Sequence, residues 1–250
     1  MKEPTHEEWL RAVVDTGFKP ENIILIGVRK IEPEEKKFLR EKEIKYFSSD
    51  CDLEAAADYI MSNVDSASDI AVYREADIGT FAEDNTGDGD FDIIITFGWF
   101  PPSLYPAENA MPDDSVGEKF LESGDMLLNT ADYIFYVSNP NNGDTGLKNM
   151  TDSEFDMWTD GTTSKPTDAG TTYTPSVVEF GAGRCFRSDQ IDADADWEVE
   201  VAFGASDDGI NVDPAIIRNL TYGGRVAIAF QAGGELPRAE VITEMIENYV

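Results

Sequence analysis

The sequence is short of the residues that serve nucleophilic catalysis. Its 250 residues include one histidine, His6, and two cysteines, Cys51 and Cys185. A Cys-His or Ser-His pair needs an imidazole base beside the nucleophile, and His6 is near neither cysteine in sequence. Two cysteines are also too few for a disulfide framework. Arg184 and Arg187 flank Cys185 and could lower its pKa, but a structural thiol is the expected role. Basic side chains are scarce as well, 19 Lys and Arg against 50 Asp and Glu, for a formal net charge of -31 and a pI near 4.1. Phosphate binding needs a basic footprint, so nucleic acid is excluded as a partner. No apolar run approaches the ~20 residues of a membrane span. The N-terminus, MKEPTHEEWLRAVV, has acids where a signal peptide has its basic segment, and a soluble, cytoplasmic chain is expected. Gly143-Asp144-Thr145-Gly146 lacks the lysine of a phosphate-cradling loop.

What is present is a hydrophobic content of 41%, enough for a sizeable core in one large α/β domain or two small ones. Asn22 to Val28, Ile44 to Phe47 and Ile70 to Tyr73 read as short strands. Between and before them, residues 6–16, a segment from Glu32 to about Lys42, and Leu53 to Val64 follow helical spacing. That alternation argues for parallel βαβ units. The centre is Phe91 to Val137, in which Ile93-Ile94-Ile95 and Tyr133 to Val137 are apolar runs. Unalternated β-branched runs suit strands buried on both faces. Gly117 to Gly124 between them predicts a short helix ending on a glycine in the left-handed C′ position.

Residues 77–90, DIGTFAEDNTGDGD, read as a surface loop, and Ser138 to Gly183 as a long irregular region packed by Phe155, Met157, Trp158 and Tyr173. Trp197 to Phe203 alternates as a half-exposed strand, and Ala215 to Leu220 with Arg225 to Phe230 forms a hairpin. Pro237 to Val250 is a helix with Val241, Ile242, Met245, Ile246 and Tyr249 on one face. The predicted fold is α/β: a three-layer, mostly parallel sheet of flavodoxin or amidotransferase-like kind, with an antiparallel hairpin near the C-terminus.

Residues 1–64 resemble a fragment of the arginase and agmatinase (ureohydrolase) family, through Thr5-His6, Ile24 to Arg29 and Pro33-Glu34-Glu35. The resemblance implies two manganese ions, but the family's Gly-Gly-Asp-His and Asp-Ala-His-x-Asp segments are missing. Only Ser48-Ser49-Asp50-Cys51-Asp52 imitates part of its third metal segment. Residues 69–250 resemble the class I glutamine amidotransferase-like superfamily, including its trehalose-utilisation (ThuA-like) branch. Phe91 to Gly98, Phe120 to Gly124 with the strand that follows, and Tyr222 to Val226 carry that likeness. Where it implies a nucleophilic cysteine stand Leu128, Asn129, Thr130 and Ala131. With both sets of catalytic residues missing, the chain reads as one α/β domain, residues 1–66 ureohydrolase-like and 67–250 amidotransferase-like, or as a recombined or designed composite joined near Asp65 to Ser68.

The expected role is binding of a carbohydrate-like ligand or a protein partner, through the loop region Asn139 to Thr174. Trp158, Asn141, Asn142 and Asp144 are the candidate ligand residues. The alternative is a hydrolase using carboxylates such as Asp92 or Glu118, with or without a divalent metal. Asp84, Asp88 and Asp90, with Asp192, Asp194 and Asp196, are candidate weak calcium or manganese ligands. Neither run meets the EF-hand requirement for glycine at the sixth and glutamate at the twelfth place. From Asp84 those places hold Gly89 and Ile95, and from Asp192 they hold Trp197 and Phe203. Asn149-Met150-Thr151 and Asn219-Leu220-Thr221 match the glycosylation pattern.

Overall fold

The computed structural model describes residues 24–28, 45–48, 62–64, 75–97, 100–130, 143–159, 161–232 and 236–250. The chain divides into two compact units, Met1–Val72 and Tyr73–Val250. In the first, β1 (Ile24–Val28) pairs in parallel with β2 (Lys45–Ser48), Leu25 opposite Tyr46. The helices predicted at 6–16 and 32–42, nearly all of the one at 53–64, and the strand at Ile70 to Tyr73 lie outside the described residues, as does the strand at Tyr133 to Val137.

The second unit opens with α1 (Glu75–Asn85) and β3 (Ile93–Phe97), followed by α2 (Val116–Glu122) and β4 (Met126–Thr130). Then come α3 (Gly143–Thr151), β5 (Thr162–Pro166), α4 (Asp168–Tyr173), β6 (Phe180–Ala182), β7 (Phe186–Arg187) and α5 (Ser188–Ile191). The chain finishes through β8 (Trp197–Ala202), β9 (Gly204–Ala205), β10 (Asn211–Val212), β11 (Ala215–Asn219), β12 (Arg225–Ala229) and α6 (Arg238–Asn248). These strands make one mixed sheet, in the order β3-β4-β12-β11-β8, and one antiparallel sheet, β6-β5-β9-β10-β7. In the mixed sheet β3, β4 and β12 run parallel, while β11 and β8 join them antiparallel. The hairpin β11–β12 and helix α6 stand where the apolar pattern puts them. Among the described residues of this second unit the parallel part is those three strands, so the unit is mixed α/β.

Successive strand residues point to opposite faces, and both faces of the mixed sheet are buried. Leu127, Ile217, Val226 and Ile228 pack with Phe120 and Leu121 of α2, Ala82 of α1, and Leu147 and Met150 of α3. Met126, Leu128, Ile216, Ala227 and Ala229 pack with Val241, Ile242 and Met245 of α6 and with Phe180 and Phe203. Each fully buried Leu or Ile contributes about 1.5–3 kcal/mol. Helix α2 starts on a complete capping box, Ser115 Oγ accepting from the Glu118 N–H and Glu118 Oε2 accepting from the Ser115 N–H. It ends at Gly124, whose φ of 106° is the left-handed conformation the sequence predicts there.

Three readings of the sequence are corrected. Most of the expected loop at 77–90 is helix α1, because Ile78, Phe81 and Ala82 share one helical face packed on the core. The strand after α2 is Met126–Thr130, all five residues buried. Its Asn129 and Thr130 disguise it, since apolar periodicity discounts polar residues, yet here they are hydrogen-bonded. Thr96 Oγ1 donates to Asn129 Oδ1 at 2.6 Å, Asn129 Nδ2 to Gln231 Oε1 at 3.1 Å, and Thr130 Oγ1 to the Ala229 carbonyl. The irregular region 138–183 contains α3, β5, α4 and β6. Leu147 and Met150 bury α3 at helical spacing, and buried Ser164 of β5 donates to the Asp213 carbonyl at 2.5 Å. Among the described residues no helix is long and apolar enough to cross a membrane.

Candidate functional site

From Phe155 to Trp158 the chain alternates inward and outward. Phe155 and Met157 are buried, and Phe155 meets Trp197 edge-on at 5.9 Å between ring centroids. The Asp156 N–H donates to Gln190 Oε1 of α5 at 2.8 Å, and the Trp158 N–H to Asp156 Oδ1 at 2.9 Å. Two buried anchors and these hydrogen bonds therefore present Trp158 outward, 39% exposed, which is high for an indole.

Trp158 borders an open cleft of about 510 Å³ on the antiparallel sheet. Thr159, Gly161, Thr162, Arg184, Arg187, Asp208, Ile210 and Asn211 complete its lining. The Arg184 guanidinium lies 4.5 Å from the centroid of the Trp158 ring, within cation–π range. Its Nη1 donates to the Thr159 and Gly183 carbonyls at 3.2 and 2.6 Å. Arg187 forks onto Asp189, Nε to Oδ1 at 3.0 Å and Nη2 to Oδ2 at 2.8 Å, a hydrogen-bonded contact that raises the guanidinium pKa further. Across the cleft, Ser206 Oγ and the Ile210 N–H donate to Asp208 Oδ1 and hold that carboxyl below its usual range. Thr159 Oγ1 is a buried hydroxyl with no protein partner. An aromatic plate, cationic donors and an ionised acceptor are elements of a polar small-molecule site.

Of the sequence-predicted ligand residues, Trp158 is in this cleft. Asn141 and Asn142 lie outside the described residues, and Asp144 falls within helix α3. Of the four side chains expected to pack the region, Phe155 and Met157 are buried while Trp158 and Tyr173 are exposed. In the sequence Arg184 and Arg187 stand out only as neighbours of Cys185. The structure turns Arg184 toward Trp158, while burial and then Asp213 push the Cys185 thiol well up. That free cysteine is a packed core thiol. The proximity of Arg184 and Trp158 depends on the pairing of β5 with β6, which no local motif announces.

Of the candidate metal aspartates, Asp84 lies in helix α1 and Asp192 caps the C-terminus of α5, while Asp88, Asp90, Asp194 and Asp196 form local turns. The Asp90 N–H donates to Asp88 Oδ1 at 2.8 Å and the Asp196 N–H to Asp194 Oδ1 at 2.9 Å. Among the described residues, one group of three carboxylates has oxygens within 4.8 Å of one another: Glu118, Glu122 and Asp152. Burial, with Asp152, Asp113 and Glu122 nearby, pushes Glu118 up to about 7 against the pull of the Ser115 N–H. Asp92 is raised by burial and then by Asp125, whose Oδ1 accepts the Asp92 N–H at 2.9 Å. Both glycosylation-pattern asparagines are engaged. Asn219 is buried and accepts from the Thr221 and Tyr222 N–H groups, while Asn149 Nδ2 donates to the Tyr105 hydroxyl at 2.8 Å.

Compared with known proteins, the chain matches no family model, no curated protein and no solved structure.

Proposed function

We propose that this chain is a non-catalytic α/β binding protein that takes a carbohydrate-like ligand in the cleft at Trp158. The observation that carries the reading is the exposed indole stacked by Arg184, with Asp208 lining the same cleft. A sugar ring offers an apolar face for an indole and hydroxyls for both donors and acceptors, which matches that set. The experiment is a glycan array on the full chain, followed by titration of the bound sugars into Trp158→Ala. Retained affinity in that variant refutes the reading. Capture of a protein partner through Trp158, with no glycan bound, replaces the sugar by a protein surface.

The finer fold assignment, a three-layer sheet of the amidotransferase-like (ThuA-like) kind, is supported by the burial of both faces of the mixed sheet. A composite origin, with a ureohydrolase-like segment ahead of it, draws support from the division of the chain after Val72. A second functional reading, a divalent-metal-dependent hydrolase, is favoured by the approach of Glu118, Glu122 and Asp152. Titration with calcium, manganese and magnesium while following thermal unfolding separates the two. A metal-dependent rise in Tm that Asp152→Asn abolishes supports the hydrolase, and an unmoved transition refutes it.

A further inference from the structure

A second open cleft, of about 520 Å³, adjoins the first and shares Gly161 and Thr162 with it. Thr163, Gly181, Ala182 and Gly183 complete the lining. It lies over the end of the β5–β6 pair, where Thr162 stands opposite Ala182 and Thr163 opposite Gly181. Side chains are missing where the space is: a Cβ built at Gly181 or at Gly183 meets nothing within 4 Å. Arg184 fastens the two clefts together, since the guanidinium that lies over Trp158 also donates to the Gly183 carbonyl. The result is one groove, with an aromatic plate at one end and a bare backbone floor at the other.

Resting on the carbohydrate reading above, we propose that the ligand is a neutral, linear oligosaccharide, with one ring on Trp158 and the next over the glycine floor. The length follows from the shared wall of the two clefts, because a single ring on Trp158 leaves the second cleft open. The neutrality follows from charge. A chain of net charge -31 repels polyanions beyond contact distance. Within the groove, Arg187 is already neutralised by Asp189, and Asp208 is an ionised acceptor facing the same space. That mixture of donors and acceptors suits hydroxyl groups better than carboxylates.

The test is calorimetric titration of the full chain with gluco-, xylo- and manno-oligosaccharides, α- and β-linked, from one ring to several, and with oligogalacturonate of matching length. The expected result is a Kd that falls about tenfold or more from one ring to three in the bound series. Gly181→Leu fills the floor where space is open, so it removes that gain. It leaves single-ring affinity and the thermal transition unchanged. A Trp158-dependent affinity that is flat with chain length overturns this inference and leaves the carbohydrate reading standing. So does tighter binding of oligogalacturonate, or a length gain that survives both Gly181→Leu and Gly183→Leu. Failure of every glycan to bind overturns both.

Discussion

Asp213 offers the most demanding test of how this fold is held together. It is fully buried at the turn before β11, and its two oxygens accept the Phe230 and Gln231 N–H groups, each at 2.8 Å. Phe230 sits at a φ of 57°, a left-handed backbone that costs a bulky residue about 1–3 kcal/mol, and the carboxylate helps to hold it there. Asp213→Ala leaves two buried donors without a partner. At about 1–3 kcal/mol for each, the expected loss is about 2–6 kcal/mol.

Its pH dependence has a definite sign. Burial pushes the Asp213 carboxyl from 3.8 up to about 7, against the two N–H donors and Arg238, which pull it down. The folded state therefore keeps a proton that the unfolded chain releases. The stabilising contribution of Asp213 is full below the unfolded value, falls as pH rises, and is smallest above the folded value. At 1.36 kcal/mol per pH unit, the whole range is at most about 4 kcal/mol. Urea unfolding of wild type and Asp213→Ala, followed by circular dichroism at pH 5 and pH 8, measures it. The substitution costs more at pH 5 than at pH 8. A cost that grows with pH, or one below about 1 kcal/mol at pH 5, refutes the argument.

Three further outcomes are expected. Gly170→Ala lies inside helix α4, where alanine ordinarily stabilises by about 0.5–1 kcal/mol, but its Cβ would stand 2.0 Å from the Phe203 carbonyl oxygen; the substitution lowers Tm instead. Glu118→Gln keeps an acceptor for the Ser115 N–H while removing a carboxyl whose pKa is raised mainly by burial. Because that contribution also declines as pH climbs toward 7, the variant gains on wild type in denaturant melts at pH 8 and not at pH 5. Trp197→Phe gives up the 2.8 Å hydrogen bond from Nε1 to the Thr151 carbonyl and part of the edge contacts with Phe155 and Tyr222. A loss of about 1–3 kcal/mol is expected in the same melts.

Much of the fold was legible wherever burial followed a local period. Ile93 to Ile95 is visible as an unalternated β-branched run, and the alternation of Trp197, Val199 and Val201 and the apolar face of α6 are visible because their side chains repeat every two or every 3.6 residues. Ser115 and Glu118 close a capping box whose two members are three residues apart, so helix α2 also declares itself locally.

Tertiary structure decided the rest, and the reason is partnership at long range. Asn129 and Thr130 sit inside a fully buried strand only because Gln231, Thr96 and the Ala229 carbonyl satisfy them, and those groups come from β3, from β12 and from the residues just after β12. Strand β5 is polar in sequence and is held by pairing with β6 and β9 rather than by an apolar pattern. At the cleft, Trp158 was visible as an aromatic residue in a polar stretch, but its neighbours were not. Arg184 reaches it because the β5–β6 pairing brings the segments flanking those strands together. The sequence by itself set which residues could be buried; the pairing of distant segments set which polar groups were satisfied there, and which line the cleft at Trp158.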